Sequence, residues 1–273
     1  MKKAILFGLI LITCIPNILH ADDFAPFKNT IKISAEASGF YWDEHDSGDK
    51  LLDEKGVIYG TGVIFNGITR ANPNDEKDRV RLTYGGEFKL YFGTVDYDGH
   101  TQAGDPVTTE VDYSGFTLEG HLGWLIKTNS PQWFVSPELA LGFTAWSRDL
   151  NSTSDARGYT ENWTNLYSRA GVGFIFPFND DLRLGVSGGA NIPIRVTNSV
   201  DLEGYGDIEL SPEASHLSPY CTISFDYKRV GVSFYYDSFF FGESPKEHKA
   251  EGYFLQPESY TYKAGVQLTF RVY

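Results

Sequence analysis

Sulfur is nearly missing from this 273-residue chain, which holds one methionine, Met1, and two cysteines, Cys14 and Cys221. Cys14 lies in an apolar run from Ala4 to Ile15 that follows Lys2 and Lys3 and leads to Leu19-His20-Ala21. That is the pattern of a secretory leader, too short to cross a membrane as a helix. A lipidated Cys14 is disfavoured by Thr13 before it. Cleavage after Ala21 leaves residues 22–273 as one domain with a single thiol, which excludes an internal disulfide. No cofactor or metal site is indicated.

Long apolar runs are missing too. Beyond the leader, no segment approaches the ~18 consecutive apolar residues of a membrane helix. An exported chain of this kind is integral to a membrane only as a closed barrel. Positive charge is also short: the formal charge of −13 becomes −15 when Lys2 and Lys3 leave with the leader. Such a balance excludes a nucleic-acid partner held by phosphate contacts. It is compatible with outer-membrane lipids and with lipopolysaccharide, whose anionic groups divalent cations bridge.

What is present in quantity is Tyr, Phe and Gly, at 17, 20 and 28 residues, with the glycines scattered through strand-like segments. The clearest segment is Tyr260 to Tyr273, where the even positions are apolar and the odd ones from Thr261 to Arg271 polar or glycine. Period-two alternation of this kind is a strand with one oily and one wet face. A membrane strand tilted by ~45° needs ~9–11 residues, and ten segments of about that length appear. They are Thr30–Trp42, Val57–Ile68, Arg79–Phe92, Tyr113–Lys127, Trp133–Trp146, Asn165–Phe176, Leu182–Val196, Ser215–Tyr227, Val230–Phe240 and Tyr260–Tyr273.

The stretches between them read as loops, long after the odd-numbered strands (Asp43–Lys55, Gly93–Asp112, Ser147–Thr164, Thr197–Ala214, Phe241–Glu258) and shorter after the even ones. Short periplasmic turns, longer external loops and an even strand number characterise outer-membrane barrels. The expectation is therefore an all-β, antiparallel, up-and-down transmembrane barrel of about ten strands, with 8 or 12 as alternatives. Trp42, Phe92 and Trp146 are expected in the outer aromatic belt, and Trp124, Trp133, Phe176, Phe178 and Tyr273 in the inner one.

The last strand resembles the C-terminal signature of bacterial outer-membrane β-barrel proteins. The matching residues are Lys263, Gly265, Leu268, Phe270 and Tyr273. The resemblance implies recognition by the barrel-insertion machinery and residence in the cell outer membrane of a Gram-negative bacterium.

Facing the lumen, the alternation places Lys32, Arg81, Lys89, Arg169, Arg183, Arg195, Lys263 and Arg271 against Glu36, Glu87, Glu119, Glu138, Asp226 and Asp237. Unpaired buried charges cost several kcal/mol each, so these groups form either a salt-bridged network or a selectivity lining. Barrels of ~8 strands are filled by side chains and those of ~16–18 hold a channel; ten strands lie nearer the filled end. The favoured reading is a non-catalytic barrel acting through its external loops in surface interaction, adhesion or envelope integrity, toward a ligand the sequence leaves unnamed. A narrow porin is the alternative.

Asp96-Tyr97-Asp98 and Asp43-Glu44-His45 resemble the Asp-x-Asp and Asp-x-His pairs with which the omptin outer-membrane proteases activate water. A carboxylate-oriented histidine suits general-base chemistry. The resemblance implies pairs on opposite lips of the barrel, with Asp-x-His in the fourth loop. Here both fall in the first two loops, and the fourth, Thr197–Ala214, holds no histidine.

Overall fold

The computed structural model describes residues 29–69, 79–100, 104–128, 133–154, 156–202, 206–214, 216–249 and 252–273. The leader read over residues 1–21 and the Asn72-Pro73-Asn74-Asp75 turn lie outside them. The described residues form thirteen strands: β1 (Thr30–Asp46), β2 (Asp49–Ile68), β3 (Val80–His100), β4 (Pro106–Lys127), β5 (Phe134–Leu150), β6 (Thr160–Pro177), β7 (Leu182–Leu202), β8 (Gly206–Leu210), β9 (Ser218–Tyr227), β10 (Val230–Phe241), β11 (Glu247–Lys249), β12 (Gly252–Phe254) and β13 (Glu258–Arg271).

Ten of these form one antiparallel ring. Its order runs β6-β5-β4-β3-β2-β1-β13-β10-β9-β7, and β6 pairs with β7 to close it. The first strand meets the last over fourteen residue pairs, from Lys32↔Arg271 to His45↔Glu258. Among the described residues, closure leaves no long edge of the ring exposed. β8 doubles back on β7, and β11 with β12 makes a separate hairpin.

The strands are longer than a membrane requires. β3 and β4 run 21 and 22 residues, about twice the ~9–11 of a spanning strand. Along the outer face of β3, Val80, Leu82, Phe88, Leu90 and Phe92 are exposed and apolar, and Thr94, Asp96, Asp98 and His100 are exposed and polar. β4 changes at the same level, from Leu118, Leu122 and Trp124 to Ser114, Asp112, Glu110 and Thr108. At ~3.3 Å per residue and ~45° of tilt, the run Val80–Phe92 rises about 28 Å, the thickness of a hydrocarbon core. Beyond that belt, away from Thr30 and Arg271, the strands continue as a distal extension of the barrel.

Most of the stretches read as loops are therefore paired strand. Asp43–Lys55 is a hairpin whose turn is Ser47-Gly48, both residues at positive φ (52° and 92°). That is the twist a two-residue hairpin needs. Gly93–Asp112 continues β3 and β4, paired as far as His100↔Pro106. The alternation persists in these segments with its phase reversed, because the apolar residues now point inward. The glycines of β2 also have a use: a Cβ at Gly60 would stand 2.7 Å from Cγ of Glu36, so the bare backbone makes room for that side chain in the lumen.

Candidate functional site

In the proximal lumen, enclosed by the apolar belt, the charged side chains meet in groups. Lys32 Nζ lies 2.7 Å from Asp226, and Arg183 lies 3.4 Å from the other oxygen of the same carboxylate. Arg271 donates to the Lys228 carbonyl, and Arg81 is buried. Higher up, Lys89 bridges Glu36 at 2.9 Å and Glu87 at 3.5 Å, and Gln267 donates to both carboxylates. Across the lumen, Arg169 lies 3.4 Å from Asp237 and 3.6 Å from Glu119. Asn191 donates to Asp237 at 2.6 Å, and the Tyr167 hydroxyl donates to Glu119 at 2.8 Å. Glu138 is half-buried on β5. Lys263 stands with its ammonium 4.5 Å from the centre of the Tyr91 ring.

Arg195 does not join this network. β6 and β7 change register between Leu166 and Tyr167, where Leu166 pairs with Arg195 and Tyr167 with Pro193. The extra residue turns Arg195 to the exposed outer face beside Ile194, while Asn191 and Val196 on either side are buried. A bulge shifts the phase of every residue after it.

The distal lumen is different in kind. Phe40, Trp42, Tyr91, Val95, Val111, Tyr113, Trp163, Val196 and Phe241 form one buried cluster inside the barrel. Trp42 and Trp146, expected in an outer belt, point inward instead, because Asp43 and Ala145 occupy the outer face at their level. Trp42 on β1 and Trp163 on β6 stand five strands apart either way round the ring, yet their ring centres are 5.1 Å apart in an edge contact. Trp146 stacks on Trp163 at 5.5 Å, and Phe241 stacks on Trp163 at 6.0 Å. Side chains from opposite walls therefore fill the bore.

Within this apolar plug sits one guanidinium among three carboxylates. Arg148, 1% exposed, ion-pairs with Glu54 through Nη2 and with Glu161 at 2.8 Å, and it lies 3.7 Å from Glu44. Tyr113 donates to Glu54, Trp163 Nε1 to Glu161 at 2.8 Å, and Trp42 Nε1 to Glu44 at 3.0 Å. Glu44 is the carboxylate most weakly held by the arginine. Burial pushes it up to about 7; Arg148 pulls it down, and Glu161 and Glu54 push it further up. Sequence reading missed this group, although Trp42-x-Glu44 and Glu161-x-Trp163 carry its signal. Residues i and i+2 share a strand face, so each indole N–H stands beside its carboxylate.

The residues that resemble the omptin pairs have a plain placement. Tyr97 is buried inward, so Asp96 and Asp98 are exposed on the outer wall. Asp43 and His45, 3.4 Å apart, flank the inward Glu44 and also face outward. The two pairs stand on β1 and β3 with β2 between them, Asp43 opposite Asp53 and Asp53 opposite Asp98. Neither faces the lumen.

Set against solved structures, the chain superposes on the outer membrane protease OmpT of Escherichia coli with a TM-score of 0.53 and 12% identity, over 92% of this chain and 99% of that one. The fold is that of the bacterial outer-membrane β-barrels. The translocator domain of the autotransporter NalP from Neisseria meningitidis gives a TM-score of 0.41 and 13% identity over 98% and 95% of the two chains. An outer membrane channel from Pseudomonas putida F1 gives 0.40 and 9% over 93% and 99%. No family model matches the sequence, and no curated protein sequence does.

Proposed function

We propose that this protein is a non-catalytic, non-conducting barrel of the outer membrane, exported by the leader over residues 1–21, that acts through its distal rim at the cell surface. The observation that carries this reading is the meeting of Trp42 and Trp163 from opposite walls. Stacked indoles and a buried ion cluster that meet across the bore among the described residues support a closed lumen. Its surface roles are then interaction, adhesion or envelope integrity. The long strands lift the rim above the lipid belt, and the acidic outer wall of the extension stands at the level of lipopolysaccharide head groups. Gly265, Leu268, Phe270 and Tyr273 on β13 are the residues we assign to the insertion machinery, with Leu268, Phe270 and Tyr273 exposed to lipid.

Single-channel recording of the folded barrel in a planar bilayer tests this reading, and no discrete steps are expected. Reproducible steps that shift in selectivity when Arg81 or Arg183 is neutralised would replace it with a narrow porin. A protease reading is tested separately with Asp96→Ala, which is expected to change no peptide cleavage.

A further inference from the structure

Below the plug the lumen holds a cavity of about 180 Å³, room for roughly a dozen water molecules at ~10–15 Å³ each. Its charged lining is unequal: four carboxylates, Glu36, Glu87, Glu119 and Asp237, face three cations, Lys89, Arg169 and Lys263. Lys89 serves Glu36 and Glu87 together, and Arg169 serves Glu119 and Asp237 together. Each group is one cation short. Lys263 stands between them, forms no ion pair among the described residues, and can balance only one of the two deficits. Outside that lining, Glu138 neighbours His121 and Glu119 on the same wall, and further down Lys32 and Arg183 share the one carboxylate of Asp226.

The rest of the lining is aromatic, and it already holds cations on its ring faces. Lys263 sits 4.5 Å from the Tyr91 ring centre, Arg169 4.6 Å from that of Tyr220, and Lys89 5.8 Å from that of Tyr235. Phe239 and Trp146 line the same space. One missing positive charge in a cavity walled by π-faces is the environment that favours an alkylated or arylated ammonium over a hydrated metal ion. We infer that this cavity binds a small organic monocation with an apolar body, its charge set against Glu87 and Glu36 and its body against the rings. The inference goes beyond the closed-barrel reading, since a cavity beneath a plug can be occupied whether or not the barrel conducts.

The test is calorimetric titration of the full, folded barrel in detergent micelles with benzylammonium, using benzoate as the control of opposite sign. Saturable 1:1 binding of benzylammonium and none of benzoate is expected. Glu87→Gln should weaken binding about tenfold, and Lys263→Met, which removes the competing cation, should tighten it by about the same factor. Binding of benzoate that disappears in Lys263→Met would overturn the inference by making this an anion site. So would the absence of saturable heat with either probe, or benzylammonium binding indifferent to both substitutions. Heat-modifiable migration of each variant on gels shows that it has folded, so a lost signal is not a lost fold.

Discussion

The two halves of the barrel are built from the same strands with opposite polarity. Up to Phe92 on β3 the outside is apolar and the inside carries Arg81, Glu87 and Lys89; from Thr94 onward the outside carries Asp96 and Asp98 and the inside carries Val95 and Tyr97. The proximal half is a membrane wall around a partly wet network, and the distal half is cored like a water-soluble barrel. The difference follows from the solvent each outer face meets. Where lipid is outside, apolar residues gain nothing by turning inward, and polar groups gather in the lumen. Where water is outside, burial of the same residue types is worth ~1.5–3 kcal/mol each, so the interior fills and closes.

The halves should then respond differently to the loss of a charge. Arg148→Met removes the cation from among three buried carboxylates in the dry half, and breaking a buried pair in this way costs ~3–5 kcal/mol. Urea titration followed by tryptophan fluorescence should show the distal half melting first, with proximal strands still protected from hydrogen exchange. A single unshifted transition would mean that the plug is not a separate source of stability.

Protons sharpen the same contrast. A Glu44 carboxyl raised from 4.5 to about 7 binds its proton more tightly folded than unfolded. Its stabilising contribution is therefore whole below pH 4.5 and lost as pH rises through 7. The shift corresponds to about 3 kcal/mol at 1.36 kcal/mol per pH unit. Stability of the distal half should fall over that window, and Glu44→Gln should remove the slope. An identical slope in the variant would place the titration elsewhere.

Packing at the boundary gives a smaller effect. A Cβ on Gly142 would lie 2.2 Å from the Tyr167 ring, whose hydroxyl donates to Glu119. Gly142→Ala is expected to cost ~1–3 kcal/mol by overpacking, read as a lower unfolding midpoint. The smallest effect belongs to the proximal network. Lys32→Met removes a mostly buried partner of Asp226 but leaves Arg183 to neutralise the carboxylate. No buried charge is then left unpaired, and the loss is ~1 kcal/mol, the net worth of a typical hydrogen bond. A loss as large as that of Arg148→Met would erase the distinction between the halves.

Much of the proximal half was legible because its alternation is simple. Arg79–Phe92 and Tyr113–Lys127 show apolar residues at nearly every second place, broken by Gly86, Ser114 and Gly120, and the ring of ten followed from counting such segments. The distal half was hidden by the reversal of phase. In Val95-Asp96-Tyr97-Asp98 the acidic residues read as a loop, although Val95 and Tyr97 continue the strand on its other face. Arg195 was misplaced for a related reason, since the bulge opposite Leu166 and Tyr167 leaves no mark in the residue types around it. The Arg148 group required contacts between strands β1, β2, β5 and β6, which no local spacing supplies beyond the two Trp–Glu pairs.

The most direct test of the two-part barrel is a nitroxide scan along the outer face of β3 in a Cys221→Ser background, with labels at Leu90, Phe92, Asp96 and Asp98 in turn. The relaxing agents are oxygen, which concentrates in lipid, and a water-soluble nickel chelate. The account predicts oxygen-dominated relaxation at Leu90 and Phe92 and nickel-dominated relaxation at Asp96 and Asp98, with the crossover between Phe92 and Asp96. Lipid-like relaxation at Asp98, or no crossover along the strand, would contradict it.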